Sequence, residues 1–547
     1  MKRIILILLA AVLAIPAVSI AGIISPARVM LVDGDVMFRS PDSEEWLPVS
    51  VNTPLDEGDA VWAPDGSRTE LQLADGTILR LDEGSQLDLI AIEEDFTHVH
   101  LASGRVYLRT SQNAGNNSLQ IDADDTTVLP DARTRLRIDM LPNNQEDVTI
   151  FKGTAYVEGN GSRTKVRAGD HLALEEGHSE LLALNSPDDW EQWNSARDRS
   201  QSRAATSESN LPDELRPFSG ELDSSGRWVN VPEYGMVWRP TVIMSDDWAP
   251  YQSGRWIWKG DDYVWISYEN WGWAPYHYGR WAVVSGFGWC WVPPVRGDIY
   301  WGPGYVGWYR TGSHVGWTPL APGETYYGHR NYGRHSVNIS NSVNTTASVS
   351  YRNRDARGGF SLLLQSDFLR GRAVFQKPSD NRTASVSVSL GAPRIQPVRE
   401  TRMPIIKRTP PRFAPPAIGY QDRRGLRERF PRLAPVTEKQ RRPQPSGVTS
   451  APTVPIVIQK TDTPSGSRQN DGNRSRTTQS QPVVNTPGRR DQPAVVPPSV
   501  SPRHGEASRQ ENKPRELKQK KVWRVTTTDR GGEKDLKEKG NKEQRGR

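Results

Sequence analysis

Trp248-Ala249-Pro250-Tyr251-Gln252-Ser253-Gly254-Arg255-Trp256 returns 25 residues later as Trp273-Ala274-Pro275-Tyr276-His277-Tyr278-Gly279-Arg280-Trp281. Every shared position keeps that offset, so one supersecondary unit is used at least twice. Between Trp228 and Trp317 lie 14 of the chain's 19 tryptophans, and no leucine occurs between Leu222 and Leu320. The Trp-x-Trp pairs Trp256/Trp258, Trp271/Trp273 and Trp289/Trp291 place both rings on one face of a strand of period two. At about 200 Å² per indole, the set amounts to on the order of 2,800 Å². A soluble domain does not leave that much apolar surface open without associating. The stretch therefore reads as a β domain of small strands whose core is built from tryptophan and tyrosine. Its aromatic motif comprises Trp248, Tyr251, Arg255, Trp256, Trp273, Tyr276, Tyr278, Arg280, Trp281, Trp308 and Trp317. Structural packing is the first reading of these residues and a ligand-stacking platform the second. Arg255 and Arg280, at matched positions beside aromatics, are expected to support the fold by cation–π contact.

Upstream, the sequence alternates in steps of two. Leu71 and Leu73 oppose Glu70 and Gln72, the turn Asp75-Gly76 follows, and Leu79 and Leu81 resume around Arg80. That is a hairpin with turn chemistry suited to positive φ. Leu136, Ile138 and Met140 alternate with Arg135, Arg137 and Asp139 in the same way. The pattern predicts an antiparallel β domain over 22–182 with one face solvated. Ser186-Pro187-Asp188-Asp189 opens a helix, with Ser186 as the expected cap and Trp190, Trp193 and Arg197 on one face. Helix and linker fill 183–210, the Trp-rich domain 211–335, and a small β or mixed extension 336–390.

Gly34-Asp35-Val36, Trp46-Leu47-Pro48, Gly58-Asp59, the run Ser67 to Leu81, Gly104-Arg105-Val106-Tyr107 and Gly153-Thr154-Ala155-Tyr156-Val157 resemble a FecR domain. The resemblance implies an all-β extracytoplasmic domain, in founding members a signalling partner of outer-membrane iron transporters. Only Met1, Lys2 and Arg3 stand before the first apolar run, so the sigma-factor-handling segment of those members is not expected here. Tyr234-Gly235-Met236-Val237-Trp238, the repeated Trp-Ala-Pro-Tyr phrase and Val315-Gly316-Trp317-Thr318-Pro319-Leu320 resemble the Trp-rich domain of unknown function that follows FecR-type domains in secreted proteins of Gram-negative bacteria. That family implies context and no chemistry.

The two ends differ in kind from the middle. Lys2 and Arg3, the apolar run Ile4–Ile15 and Ser19-Ile20-Ala21 read as a signal peptide over 1–21, cleaved after Ala21. An uncleaved anchor is the alternative. Either way the remainder is expected to be periplasmic or secreted, with no transmembrane helix after cleavage. Residues 391–547 hold 35 Lys+Arg, 15 Asp+Glu and 21 of the 42 prolines, a composition that predicts a disordered basic tail. Extracytoplasmic polyanions are its expected contacts, and nothing in it points to specific nucleic-acid recognition.

Catalytic signals are weak throughout. The single cysteine, Cys290, reads as a small buried apolar residue, and the nine histidines lack a third ligand around His98 and His100, which read as an exposed strand edge. Asp246-Asp247 and Asp261-Asp262 read as turns; Asp261 or Asp262 with Glu269 would pair only through tertiary placement. No nucleophile-elbow, phosphate-loop or zinc-protease phrase occurs. No enzyme, cofactor or metal is therefore expected. The leading expectation is an exported envelope protein acting as a binding or scaffold module, with an envelope protein or glycan as partner. The alternatives are FecR-type signalling through a separate membrane partner, and glycan or peptidoglycan binding.

Overall fold

The structure, a computed structural model, describes residues 26–41, 43, 45–112, 118–201, 206–241, 248–260, 262–340, 349–371, 387–406 and 423–433. The expected export signal, Asp246, Asp247, Asp261 and most of the basic tail lie outside these residues.

Residues 27–183 form a sandwich of two nine-stranded sheets. From edge to edge, the first sheet runs His178–Ala183, Asp170–Glu175, Gln145–Lys152, Arg135–Leu141, Arg105–Arg109, Ile78–Leu81, Arg68–Gln72, Ala27–Asp33, Pro54–Leu55. The second runs Ser162–Arg167, Thr154–Gly159, Thr126–Pro130, Ser118–Ala123, Phe96–Ser103, Ser85–Ile92, Ala60–Ala63, Met37–Arg39, Leu47–Pro48. The Asp75-Gly76 turn forms as its chemistry predicts: Gly76 has φ 87, and the Thr77 N–H donates to Asp75 Oδ1 at 2.9 Å. Pairing in both sheets is antiparallel except between Phe96–Ser103 and Ser118–Ala123, which run parallel. Leu71, Leu79, Leu81, Val106, Leu136 and Ile138 meet Leu87, Val99, Leu101, Ile121 and Val157 between the layers.

The opposite face of the first sheet departs from expectation. Glu70 and Arg80 are wholly buried and Gln72 nearly so, because other elements cover this face. One is the helix Asp189–Gln201. Asp188, not Ser186, caps it, its Oδ1 accepting from the Glu191 N–H at 2.7 Å; proline therefore stands before the cap. The helix buries Trp190, Asn194 and Asp198, and Arg68 lies over the stacked rings of Trp190 and Trp193.

In the Trp-rich domain the repeating element is a β-hairpin closed by a cross-strand tryptophan pair, and it occurs four times among the described residues. Gly226–Val231 with Gly235–Pro240 pairs Trp228 to Trp238; Gly254–Lys259 with Asp262–Ser267 pairs Trp256 to Trp265. Arg280–Val284 with Gly288–Val292 pairs Trp281 to Trp291; Val306–Arg310 with His314–Pro319 pairs Trp308 to Trp317. The first and third hairpins share a sheet through Trp238 and Trp291. Trp289 and Trp291 do lie on one strand, but Trp271 falls in a turn and Trp273 opens the short helix Trp273–His277. The fourth hairpin is widened by Ser361–Leu364 and Ser387–Ser389, and Leu363 and Phe368 join the tryptophan core.

The expectation of disorder from residue 391 onward needs correction for two segments. Residues 391–406 bury Ala392, Ile395 and Met403, and 423–433 bury Leu426 and Phe430. A few apolar anchors among the prolines and arginines are enough to dock each stretch on the body.

Candidate functional site

The Trp-Ala-Pro-Tyr phrase is a packing device centred on Tyr251. This residue takes φ 62 and sets its ring 4.7 Å from Tyr276 and 5.5 Å from Trp265. Its hydroxyl donates to the Tyr276 carbonyl and accepts from the Tyr305 N–H, both at 2.9 Å. Its own carbonyl accepts from Trp317 Nε1 at 3.2 Å. The two copies of the phrase thus close on each other. Trp248 Nε1 and the Tyr276 hydroxyl both donate to Glu269, at 2.7 and 2.5 Å. Burial raises the Glu269 carboxyl and the Tyr251 and Tyr276 phenols above their ordinary values.

The remaining motif residues are also internal. Tyr251, Arg255, Trp256, Trp273, Tyr276, Tyr278, Trp281, Trp308 and Trp317 are buried, and Trp248 and Arg280 half-buried. Arg280 lies 3.9 Å over the Tyr305 ring, as its position predicts. Arg255 instead donates to the Glu400 carbonyl and packs against Gly371, so its role is to hold the docked segment 391–406. The tryptophans of this domain left partly accessible are Trp228, Trp248, Trp258 and Trp301. Asp262 and Glu269 each have separate partners: the Tyr263 N–H and the Tyr332 hydroxyl for Asp262, Trp248, Tyr276 and Ser267 for Glu269. Cys290 is buried and free, its thiol pushed up to about 11 by burial.

A second constellation escapes sequence reasoning: the polar face of the first sheet is an interface. Arg80 pairs with Glu70 at 2.6 Å and with Asp198 of the covering helix at 2.8 Å, and the Tyr107 hydroxyl donates to Asp198 at 3.0 Å. Burial alone would raise the Glu70 carboxyl, but Arg80 and Arg197 outweigh it and hold the group below its ordinary value. At the other end of the face, Arg28 pairs with Glu221 at 2.6 Å and lies over Phe218 and Trp273. Asn52 Nδ2 donates to the carbonyls of Ser267 and Glu269, and Lys259 pairs with Asp59 at 2.6 Å. Burial raises Asp59 to about 6, with Lys259 opposing the shift. Period two shows which residues leave the sandwich core and carries no signal of what lies above them.

The outer face of the second sheet is covered as well. His98 and His100, expected at an exposed edge, are buried, His98 against Asp122 and His100 against Asp88. Phe430 lies 4.6 Å from the His100 ring. Beside it, a cavity of about 540 Å³ opens between Asp124, Asp125, Glu158 and Arg163 on one side and Arg429, Phe430, Pro431 and Leu433 of the docked segment on the other. Among the described residues no group of three His, Cys, Asp or Glu side chains could hold a metal, and no helix is long and apolar enough to cross a membrane.

Comparison with known proteins agrees with this division. Residues 59–156 match the FecR protein family, and residues 219–324 match a family of unknown function, DUF6600. The chain therefore carries a FecR domain followed by a DUF6600 domain. No curated protein matches. Two solved structures of a putative anti-sigma factor from Parabacteroides distasonis ATCC 8503, at 2.50 and 1.65 Å resolution, are similar at 14% identity with a TM-score of 0.21. Each match covers 23% of this chain and 59% of the solved one.

Proposed function

We propose that this chain is a non-enzymatic, exported cell-envelope protein whose FecR and Trp-rich domains act together as one binding or scaffold module. The observation that carries this reading is the buried polar interface. Arg28 with Glu221, Lys259 with Asp59, and Asn52 with the Ser267 and Glu269 carbonyls join the two domains through groups that would be costly to bury apart. Joining of this kind suits a body that presents a fixed surface. Export is supported by the charged start, apolar run and small-x-small site at 1–21. The absence of catalytic function is supported by the placement of Asp262 and Glu269, each held by structural partners.

Immobilised full-length protein should retain a defined component from an envelope extract, and should leave peptidoglycan and other envelope glycans uncleaved. Glycan hydrolysis that is lost on Glu269→Gln while the fold persists would overturn the non-enzymatic reading. Envelope signalling through a separate membrane partner is the second reading, favoured by the FecR match. Cross-linking in cells that captures neither a transporter nor an anti-sigma protein would count against it.

A further inference from the structure

The strand Ser85–Ile92 carries one large apolar residue on its outer face. Leu87 and Leu89 pair with Leu101 and Val99 and face the core, but the register slips between Leu89 and Ala91, leaving Ile90 between them. Alternation from Leu87 and Leu89 puts Ile90 beside Asp88 on the outer face, and the bulge leaves it without a partner on the neighbouring strand. Ile90 is fully buried, and its apolar neighbours are Leu426 and Phe430, more than 300 residues further along the chain. It forms an apolar seat on an otherwise polar face made of Gln86, Asp88, His98, His100, Gln120 and Asp122.

The arriving segment matches that face in three independent ways. Leu426 and Phe430 are four residues apart, and Phe430 N–H donates to the Leu426 carbonyl at 2.8 Å, so one helical turn brings both side chains to Ile90. Arg427, Arg429 and Arg432 meet Glu57, Asp124 and Glu93 at 3.0, 3.1 and 3.2 Å, and Arg432 lies 3.9 Å over the Phe96 ring. Beyond the turn, the Gln120 side chain brackets the extended backbone, donating to the Pro431 carbonyl at 3.1 Å and accepting from the Leu433 N–H at 2.9 Å. Each of these ion pairs is half-exposed and individually weak. The apolar anchors and the backbone bracket supply the grip, and the acidic rim selects for a cationic peptide.

We infer that the outer face of the second FecR sheet is a peptide-binding site for basic segments carrying Leu and Phe four residues apart followed by an extended stretch, and that residues 423–433 occupy it in cis. Tethering raises the effective concentration of the chain's own segment to about the millimolar range. The site is thus self-occupied even at modest intrinsic affinity, and a segment of the same chemistry from elsewhere binds only by displacing it. The inference does not depend on the envelope reading, since every contact lies within the chain.

The test uses full-length protein and a fluorescent peptide spanning residues 421–435. With Leu426→Ser and Phe430→Ser in the chain, anisotropy should show saturable binding. Wild-type protein should bind at least tenfold more weakly, because its own segment competes. Added salt should weaken binding, and a peptide bearing the Phe430→Ser change should not bind. Failure of the double variant to bind, or equal binding by variant and wild type, overturns the proposal. A second full-length variant, Glu57→Cys with Arg427→Cys, reports docking without removing the anchors: a short bismaleimide should join the two cysteines within one chain. No linkage, or linkage only between chains, overturns occupancy in cis.

Discussion

Arg28 shows most clearly what a single residue does here. It is buried, pairs with Glu221, donates to Gln72 and Asn52 of its own domain, and lies over Phe218 and Trp273 of the next. Arg28→Ala leaves the Glu221 carboxylate buried without its cation, a loss expected to cost about 3–5 kcal/mol. Arg28→Met with Glu221→Leu should recover most of it, and urea titration of the three proteins measures both numbers. His277 gives a pH signature. Burial lowers it to about 4, its Nδ1 lies 2.7 Å from the Gly302 carbonyl, and its ring stacks on Trp301. A histidine held neutral in the fold contributes stability above its unfolded value near 6.5, and that contribution is lost as pH falls toward 4. Wild-type protein should therefore lose about 2 kcal/mol of unfolding free energy from this group between pH 7 and pH 5, and His277→Asn should show a correspondingly flatter profile in the same titration. The burial of the tryptophans was readable from the missing leucines. The partner of Arg28 was not, because an ion pair 193 residues apart leaves no local pattern.

Among the elements, the hairpin with a cross-strand tryptophan pair explains why the repeat looked twofold. Copies two and three carry Trp-Ala-Pro-Tyr because Tyr251 and Tyr276 meet each other. Copies one and four need only the paired indoles, a spacing that depends on loop length and escapes a search for identical phrases. The 25-residue offset was legible; the fourfold use of the hairpin was not. Gly279 enters the third hairpin at φ 66, and a Cβ there would stand 2.3 Å from the Val292 carbonyl and 2.8 Å from Trp291 Nε1. Gly279→Ala is expected to destabilise by more than about 2 kcal/mol. Gly286, at φ 77 with open space around its Cβ position, should cost only about 1 kcal/mol on the same change. Thermal unfolding of the two variants separates crowding from backbone strain.

For the whole molecule, composition set a basic, proline-rich end apart from the rest of the chain. It described the basic end too simply. The segment around Leu426 and Phe430 reads as arginine-rich low complexity until it is seen packed on Ile90 at the outer face of the second sheet, a contact too distant in sequence to leave a local pattern. The same limit applies to the first sheet, whose alternation marks a polar face and whose cover of helix and Trp-rich domain appears only in three dimensions. The central claim is that the FecR and Trp-rich domains form one body, joined through Arg28, Asn52 and Lys259. Hydrogen exchange of the full-length protein, resolved by peptide and followed through a denaturant series, tests it most directly. The account predicts that amides of Ile78–Leu81 and of Asp262–Ser267 open with the same free energy and the same denaturant dependence, and that Arg28→Ala lowers both together. Two distinct opening free energies, with Arg28→Ala changing only the first, would contradict it.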